Sequence, residues 1–139
     1  YKNEKIILRN PSAVRPWQYV LEALDGYMKA GEKMFEDDKY CWAYNFWPDS
    51  GNVSSVFDLV SNCIKIQWRW QFEIDDSLTF PETKTLLLDN SKAKKMLSWT
   101  PKYDLNTVLE KTLNWYSIFY SHIEKLEEVT VNEINQFIK

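Results

Sequence analysis

Two long stretches of the chain place apolar residues at the spacing of an amphipathic helix. In the first, apolar residues recur three and four positions apart from Trp17 onward, which predicts a long helix with one buried face. Its stripe consists of Val20, Leu21, Leu24, Tyr27, Met28, Gly31, Met34 and Phe35. Gly26 and Gly31 are expected to let another backbone approach this helix, and the charged residues 36–39 end it.

The second long stripe lies near the end of the chain. Asp104 is placed to cap a helix whose apolar positions are Leu105, Val108, Leu109, Thr112, Tyr116, Phe119, Ile123 and Leu126. Further on, Thr130 and Glu133 have the spacing of a capping box. This pair predicts that a separate terminal helix begins at Thr130.

Shorter patterns fill the chain between these helices. Apolar spacing predicts a helix at about 53–65, and Asn90 or Ser91 can cap a brief helix that ends near Trp99. Runs of β-branched, apolar or alternating residues predict short strands at 5–9, 41–47, 68–73 and 84–89, and a turn is predicted at 48–51. The sequence therefore predicts an α/β, helix-rich fold with short strands. Because no repeat or flexible linker divides the chain, residues 1–139 are expected to form a single domain.

Composition supports a globular protein and excludes some classes of partner. The chain has 139 residues, is 45% apolar and 16% aromatic, and contains three glycines. Its net charge is −3, so no overall positive field would draw it to nucleic acid or to an anionic membrane. No apolar run approaches the roughly 20 residues of a membrane span, which predicts a soluble, cytoplasmic protein. The chain begins at Tyr1 without a methionine, and we expect it to be part of a longer protein.

The cysteine and histidine content predicts no metal site. Cys41 and Cys63 do not form a CxxC pair, and His122 is the one histidine in the sequence. We expect two buried, reduced thiols, with a single disulfide as the alternative.

Residues 9–20, RNPSAVRPWQYV, are unusually stiff and carry two arginines. Pro16 suits the first turn of a helix, so Arg15 is expected beside a helix N-terminus, where N–H groups and a guanidinium could bind a phosphate or diphosphate. Alternatively, Arg9 and Arg15 pair with carboxylates such as Glu22 or Glu82 and only stiffen the loop. Residue types alone leave both interpretations open.

Residues 9–27, RNPSAVRPWQYVLEALDGY, resemble the signature of CDP-glucose 4,6-dehydratases, which belong to the extended short-chain dehydrogenase/reductase family of nucleotide-sugar enzymes. Three further motifs are similar to family motifs in the same order. They are WAYNFWPDSGN at 42–52, LLLDNSKAKKMLSWTPKYDL at 86–105 and LEKTLNWY at 109–116. The similarity spans about residues 6–120. Its first motif is specific, whereas many nucleotide-sugar epimerases and dehydratases share the Ser-Lys-Ala segment.

The resemblance implies the C-terminal, substrate-binding lobe of such an enzyme. The Rossmann domain that binds NAD would lie outside this chain, which lacks the glycine-rich turn and the Tyr-x-x-x-Lys pair on a helix. Tyr1 and Lys5 have that pair's spacing, but they lead into a predicted strand and are not expected to be catalytic. The resemblance also implies a CDP-sugar substrate, and a homodimer or higher oligomer for the full-length protein. We expect this chain alone to contain no catalytic residue, no cofactor site and no metal site.

The resemblance makes four residues candidates for binding the substrate. Arg15 matches the arginine that contacts the nucleotide diphosphate, and Arg9, Asn45 and Glu82 match by motif. For Arg9 and Asn45, a structural role is the alternative. Three residues depart from the family pattern, since Tyr19 and Pro81 replace histidines and Trp47 replaces a glycine that a turn can use at positive φ. These departures leave the substrate's base and sugar open.

Other polar and aromatic residues have simpler interpretations. Trp68, Trp70 and Trp99 could stack on a base, but aromatic residues at such spacing are more often in the core. His122 is expected on the polar side of a helix, and the lysines at 92, 94 and 95 on a solvated helix face. Two other functions remain open: another nucleotide-sugar epimerase or dehydratase, and a non-catalytic interaction domain that retains the scaffold.

Overall fold

Five α-helices and four short strands are the main elements of the part of the chain that the structure describes. The structure, a computed structural model, describes residues 5–67, 71–75, 77 and 83–139. The helices are α1 Val20–Glu36, α2 Val56–Gln67, α3 Ser91–Leu97, α4 Leu105–Ser121 and α5 Leu126–Phe137. The strands are β1 Ile6–Leu8, β2 Val14–Pro16, β3 Val53–Ser55 and β4 Phe72–Ile74. The predicted α/β, helix-rich fold is confirmed.

The strands form two small sheets. β1 pairs with β4 in parallel, with Ile6 opposite Phe72. β2 pairs with β3 antiparallel, and Val14 of β2 also forms an isolated parallel bridge with Thr85. As a result, β2 lies between β3 and the chain around Thr85.

Two groups of buried side chains hold the helices together. In the first, Trp99 is fully buried beside Ala30, Ala93 and Leu97, and the Phe46 ring meets its indole edge-on at 5.3 Å between centroids. The second group consists of Tyr19, Val108 and Phe137, and it joins the start of α1 to α4 and α5. The prediction that Trp99 is a core residue is thereby confirmed. Trp68 and Trp70 lie outside the described residues.

The buried face of α1 is not the one that the apolar stripe predicts. Its buried residues are Glu22, Gly26 and Ala30, whereas Met28 is 76% exposed and Phe35 is 96% exposed. Small side chains bring α1 close to its neighbours. Leu21 and Met34 of the predicted stripe pack against the two buried groups, and the other large apolar side chains of the stripe are exposed.

The two glycines of α1 differ in their surroundings. A Cβ on Gly26 would lie 2.3 Å from Cδ1 of Phe46, so this glycine admits an aromatic ring rather than another backbone. At Gly31, no atom of a neighbouring element in the described ranges lies within 4 Å of the position that a Cβ would occupy. The prediction that Gly31 admits another backbone is therefore wrong.

The start of α1 also differs from the prediction. Pro16 ends β2 instead of opening the helix, and α1 begins at Val20 with Tyr19 as its N-cap residue. Pro16 is tolerated at the end of β2 because its pairing with Val53 of β3 does not require the N–H group that proline lacks. Arg15 is therefore a strand residue, and the predicted placement beside a helix N-terminus is wrong.

The later helices follow the predictions in part, because α2 begins only after residues 53–55 have formed β3, and α4 ends before the predicted stripe positions Ile123 and Leu126. Asp104 caps α4, since its carboxylate accepts a hydrogen bond from the Thr107 N–H at 2.8 Å. α5 begins at Leu126, upstream of the predicted capping box. The Thr130 hydroxyl lies inside this helix and donates to the Leu126 carbonyl at 2.7 Å, so the capping box is wrong.

Two of the predicted strands are wrong. Residues 41–47 form no strand, and Cys41 and Trp42 are exposed. Residues 84–89 contribute only the bridge at Thr85. The strand predicted at 68–73 is confirmed where the structure describes it, because Phe72–Ile74 forms β4. Cys41 and Cys63 are both free thiols, so the disulfide alternative is excluded, and the prediction of burial is wrong for Cys41. Partial burial raises the pKa of the Cys63 thiol.

Candidate functional site

The backbone on both sides of Arg15 is fixed by hydrogen bonds. Arg15 lies opposite Ser54 in the β2–β3 pair. Two residues later, the Trp17 N–H donates to the Asn52 carbonyl at 3.0 Å, and the Trp17 indole N–H donates to the Ser54 carbonyl at 3.2 Å. The stiffness that the sequence predicts around Arg15 thus arises from strand pairing and from Trp17.

The guanidinium of Arg15 is anchored by main-chain carbonyls. Its Nη1 donates to the Val14 carbonyl at 2.8 Å and to the Thr83 carbonyl at 3.0 Å, and the residue is half-buried. Thr83 directly follows Glu82, which lies outside the described residues. A guanidinium carries five N–H donors in a rigid plane. Holding Nη1 fixes the orientation of that plane and of its permanent positive charge.

The 83–89 segment links Arg15 to Asn45. At its start, the Val14 N–H donates to the Lys84 carbonyl at 2.8 Å, beside the Arg15–Thr83 bond. At its end, the Asn45 side-chain amide donates to the Asp89 carbonyl at 3.1 Å. Arg15 and Asn45 therefore hold the two ends of one segment. Three consecutive leucines between these ends, Leu86, Leu87 and Leu88, are exposed.

The turn after Asn45 is fixed by the residues that precede α3. The Asn90 side-chain amide donates to the Trp47 carbonyl at 2.7 Å and to the Asp49 carboxylate at 3.0 Å. Lys94 forms an ion pair with Asp49 at 2.5 Å, and its hydrogen bond lowers the pKa of Asp49. Among the described residues, Ser98 is the one non-glycine residue with positive φ, so Trp47 adopts an ordinary backbone conformation. The turn accommodates Trp47 without left-handed backbone.

Arg9 occupies a different part of the molecule. It is exposed and directly follows β1, the strand that pairs with β4. The turn after Arg9 is closed by the Ala13 N–H, which donates to the Asn10 carbonyl at 3.2 Å. Of the four predicted site residues, the structure thus links Arg15 and Asn45 through one segment, and it places Arg9 after a strand of the other sheet.

Glu22, one of the carboxylates that could have paired with an arginine, is instead a structural residue. Its side chain is fully buried, and Oε1 accepts hydrogen bonds from the backbone N–H groups of Lys102 and Tyr103 at 2.6 and 2.8 Å. The Glu22 carbonyl also accepts the Trp99 indole N–H at 2.9 Å. Glu22 therefore attaches α1 to the loop before α4. Glu22, Gly26 and Ala30 follow one another at intervals of four residues. This spacing is the signal that could have identified the buried face of α1.

Tyr19, which replaces a family histidine, is held by the terminal helix. Its hydroxyl donates to Oε2 of Glu133 at 3.2 Å, and Nζ of Lys111 lies 2.7 Å from the same oxygen. Burial and the neighbouring carboxylate raise the pKa of Tyr19 far above its usual value, so the phenol stays protonated. The pattern of residues gave no sign of this trio, because Tyr19 and Glu133 are 114 positions apart.

The remaining candidates show no arrangement for chemistry. His122 is exposed at the end of α4, with Nδ1 3.4 Å from the Glu124 carboxylate. Lys92 lies over the Trp42 ring at 4.6 Å. Within the described ranges, no three histidine, cysteine or carboxylate side chains are grouped to hold a metal ion. No helix in the same ranges is long and apolar enough to cross a membrane.

Similarity to known proteins identifies a group of related enzymes. The chain matches no protein-family model. It is 32% identical over 116 residues to CDP-glucose 4,6-dehydratase of Salmonella typhimurium, covering 82% of this chain and 32% of that protein. It is 26% identical over 110 residues to UDP-glucose 4-epimerase of Rhizobium meliloti, covering 78% of this chain and 32% of that protein. The chain thus spans about a third of the length of these curated relatives.

Solved structures share the fold. The UDP-glucuronic acid 4-epimerase from Bacillus cereus, in complex with UDP-glucuronic acid and NAD, matches with a TM-score of 0.69 at 20% identity, over 86% of this chain and 37% of its own. The dTDP-glucose 4,6-dehydratase from Bacillus anthracis, in complex with NAD, matches with a TM-score of 0.66 at 19% identity, over 92% of this chain and 38% of its own. These likenesses confirm the helix-rich lobe at the level of the fold.

Proposed function

Because the chain belongs to the NAD-dependent epimerase/dehydratase family of nucleotide-sugar enzymes, we propose that it is the substrate-binding part of a CDP-glucose 4,6-dehydratase. The observation that carries the proposal is the 32% identity to the Salmonella dehydratase over 82% of this chain. In this proposal residues 1–139 form one C-terminal domain, and this domain is inactive alone.

The proposed reaction of the intact enzyme is an internal oxidation and reduction. C4 of CDP-glucose is oxidised, water is eliminated across C5 and C6, and C6 is reduced, which yields CDP-4-keto-6-deoxyglucose. NAD, bound by a domain outside this chain, would accept the hydride and return it. The residues of this chain bind and orient the substrate, and correct positioning alone can supply a large share of the rate enhancement.

Arg15 is proposed to bind the diphosphate of the substrate. Its position is fixed by the carbonyls of Val14 and Thr83, and its charge is permanent. Fixing the guanidinium before the substrate arrives reduces the entropy lost on binding. A planar guanidinium can also bond two phosphate oxygens at once, which a lysine cannot do.

Asn45, Arg9 and Glu82 are proposed as further substrate-binding residues. Asn45 supports the far end of the 83–89 segment through the Asp89 carbonyl, so its contribution would depend on the position of that segment. Arg9 is proposed because it is exposed and belongs to the same motif as Arg15. Glu82 is proposed from its match to the family motif.

A second candidate is an epimerase or dehydratase with another nucleotide sugar. The similarity to UDP-glucose 4-epimerase favours this candidate, as do the departures at Tyr19, Trp47 and Pro81. Thermal-shift measurements on the full-length protein with CDP-, UDP-, GDP- and dTDP-glucose would separate the two. We expect the largest rise in melting temperature with CDP-glucose, and a larger rise with UDP-glucose would favour the second candidate.

The non-catalytic alternative is tested by the gene. If the coding region upstream of Tyr1 encodes a Rossmann glycine motif and a Tyr-x-x-x-Lys pair, an enzyme is supported and the interaction domain is excluded. If an upstream domain is present without those motifs, the enzyme proposal fails. The 139-residue chain itself, incubated with NAD and CDP-glucose, should produce no keto sugar.

A further inference from the structure

Asn52 is a buried polar residue that belongs to none of the predicted substrate contacts. It is 5% exposed and is the last residue of WAYNFWPDSGN, the motif from which the sequence selected Asn45 as a candidate. A buried amide is stable only when it is hydrogen-bonded, and such bonds rigidify the segments that they join. The hydrogen bonds of Asn52 lead to the strand pair that contains Arg15.

Asn52 joins the end of β2 to the loop before α4. Its carbonyl accepts the Trp17 N–H at 3.0 Å, directly after β2, and its side-chain Nδ2 donates to the Tyr103 carbonyl at 2.8 Å. The next residue, Val53, begins β3 and lies opposite Pro16. Asn52 therefore extends the β2–β3 pair with its backbone and ties that pair to Tyr103 with its side chain.

The loop at the far end of this link is itself packed into the core. The Tyr103 N–H donates to Oε1 of the fully buried Glu22 at 2.8 Å. The Tyr103 ring also meets the rings of Tyr19 and Phe137 edge-on, at 5.7 and 5.8 Å between centroids. Through Asn52, the strand that carries Arg15 is thus attached to a well-packed part of the molecule.

The support of Arg15 on its other side is exposed. Its guanidinium and the Val14 N–H bond to the carbonyls of Thr83 and Lys84, and each residue from 83 to 89 is exposed. A segment with few buried contacts can shift at little cost in free energy. The 83–89 segment can therefore follow a movement of β2, whereas the Asn52 link opposes that movement.

We infer that Asn52 is a positioning residue for Arg15, which it holds where the guanidinium can meet the diphosphate of the substrate. This role rests on the proposed function, in which Arg15 binds that diphosphate. Without the Asn52 amide, the Tyr103 carbonyl loses this donor and the β2–β3 pair loses this link to the core. Because a hydrogen bond to phosphate depends on direction as well as on distance, a small displacement of β2 weakens binding although the charge of Arg15 remains.

A double-mutant cycle tests whether Asn52 acts through Arg15. Calorimetric titration of full-length Asn52→Ala protein with CDP-glucose should give an affinity about three- to tenfold lower, in the range of one hydrogen bond, with NAD affinity unchanged. In the Arg15→Ala background, Asn52→Ala should change the CDP-glucose affinity by less than about twofold, because no guanidinium remains to be misplaced. If Asn52→Ala does not fold, Asn52→Leu takes its place, since leucine has a similar volume and no donor.

Leu113→Ala controls for a general loss of stability. Leu113 is a buried residue of α4, and shortening it should lower the melting temperature at least as much as Asn52→Ala does. Its affinity for CDP-glucose, measured below the melting temperature of each variant, should stay within about twofold of the unchanged protein.

The outcomes separate this role from the proposed function. The positioning role alone is overturned if Arg15→Ala loses affinity but the Asn52 variant does not, or if the two losses multiply in the double variant. It is also overturned if Leu113→Ala loses as much affinity as the Asn52 variant. Unchanged CDP-glucose affinity in Arg15→Ala would overturn the proposed role of Arg15 and, with it, the role of Asn52.

Discussion

Replacing Glu22 by alanine should destabilise the chain more than any change at an exposed carboxylate. The fully buried side chain accepts two backbone N–H bonds, from Lys102 and Tyr103. In Glu22→Ala both partly buried donors lose their acceptor, and each costs about 1–3 kcal/mol. We expect a total loss of about 3–5 kcal/mol, which is typical of a broken buried polar network.

The expected loss corresponds to a large change in melting temperature. For a domain of this size, 1 kcal/mol shifts the melting temperature by roughly 3–5 °C, so Glu22→Ala should melt about 10–20 °C lower. Glu22→Gln should lose less, because its amide oxygen can accept both bonds, although its amino group enters a place where Oε2 has no partner among the described residues. Glu32→Ala is the matched control, since Glu32 lies on the same helix and is not one of its buried residues. Equal melting temperatures for Glu22→Ala and Glu32→Ala would refute the assigned role of Glu22.

Three further outcomes follow from α1 and α4. Gly26→Ala should lower the free energy of unfolding by about 1–3 kcal/mol, because the new Cβ would meet the Phe46 ring. Gly31→Ala should raise it by about 0.5–1 kcal/mol, because the new Cβ meets no neighbouring atom in the described ranges. Chemical denaturation measures both changes, and equal effects would contradict the packing. Phe35→Glu should reduce self-association of the 139-residue chain in light scattering, because Phe35 lies on an exposed apolar stripe, and unchanged association would count against that surface. The hydrogen bond from the Thr107 N–H lowers the pKa of Asp104 in the folded state, so its contribution to stability is present above the ordinary aspartate pKa of about 3.9 and is lost as pH falls through the lower folded value. Asp104→Asn should therefore weaken the fall in melting temperature at acid pH. An unchanged fall in the variant would exclude the effect.

Local signals predicted the elements whose determinants are close together in sequence. Asp104 and the apolar stripe behind it identified α4, because a cap and its helix lie within one short segment. The face of α1 could not be predicted in the same way. Periodicity selects the largest apolar residues, but packing against Phe46 and Trp99 requires a small residue at Gly26 and a hydrogen-bonding residue at Glu22.

The strand at 41–47 shows a related limit. The aromatic and apolar character of these residues favours a strand, yet a strand also needs a partner, and residue types do not reveal whether one is present. Similarly, Pro16 fits both the first turn of a helix and the end of a strand. Pairing with Val53, which is distant in sequence, determines the outcome.

The candidate site remains a prediction, and the structure adds how two of its residues are attached. The resemblance to a family selected Arg15 and Asn45, and the structure shows how both are attached to the 83–89 segment. That attachment could not be predicted, because the acceptors are backbone carbonyls and carry no residue-type signal. Thr83 is 68 positions from Arg15, and Asp89 is 44 positions from Asn45.

The central claim, that Arg15 binds the diphosphate of a CDP-sugar, is tested most directly by titrating CDP-glucose into full-length Arg15→Ala protein. Loss of a charge-assisted, bidentate contact is worth about 1.5–3 kcal/mol, so affinity should fall roughly ten- to a hundredfold while NAD affinity is unchanged. Arg15→Lys should recover only part of the loss, because it keeps the charge without the planar fork. If Arg15 only holds the Val14 and Thr83 carbonyls, the alanine variant would melt lower and bind CDP-glucose within about twofold of the unchanged protein, which would contradict the account.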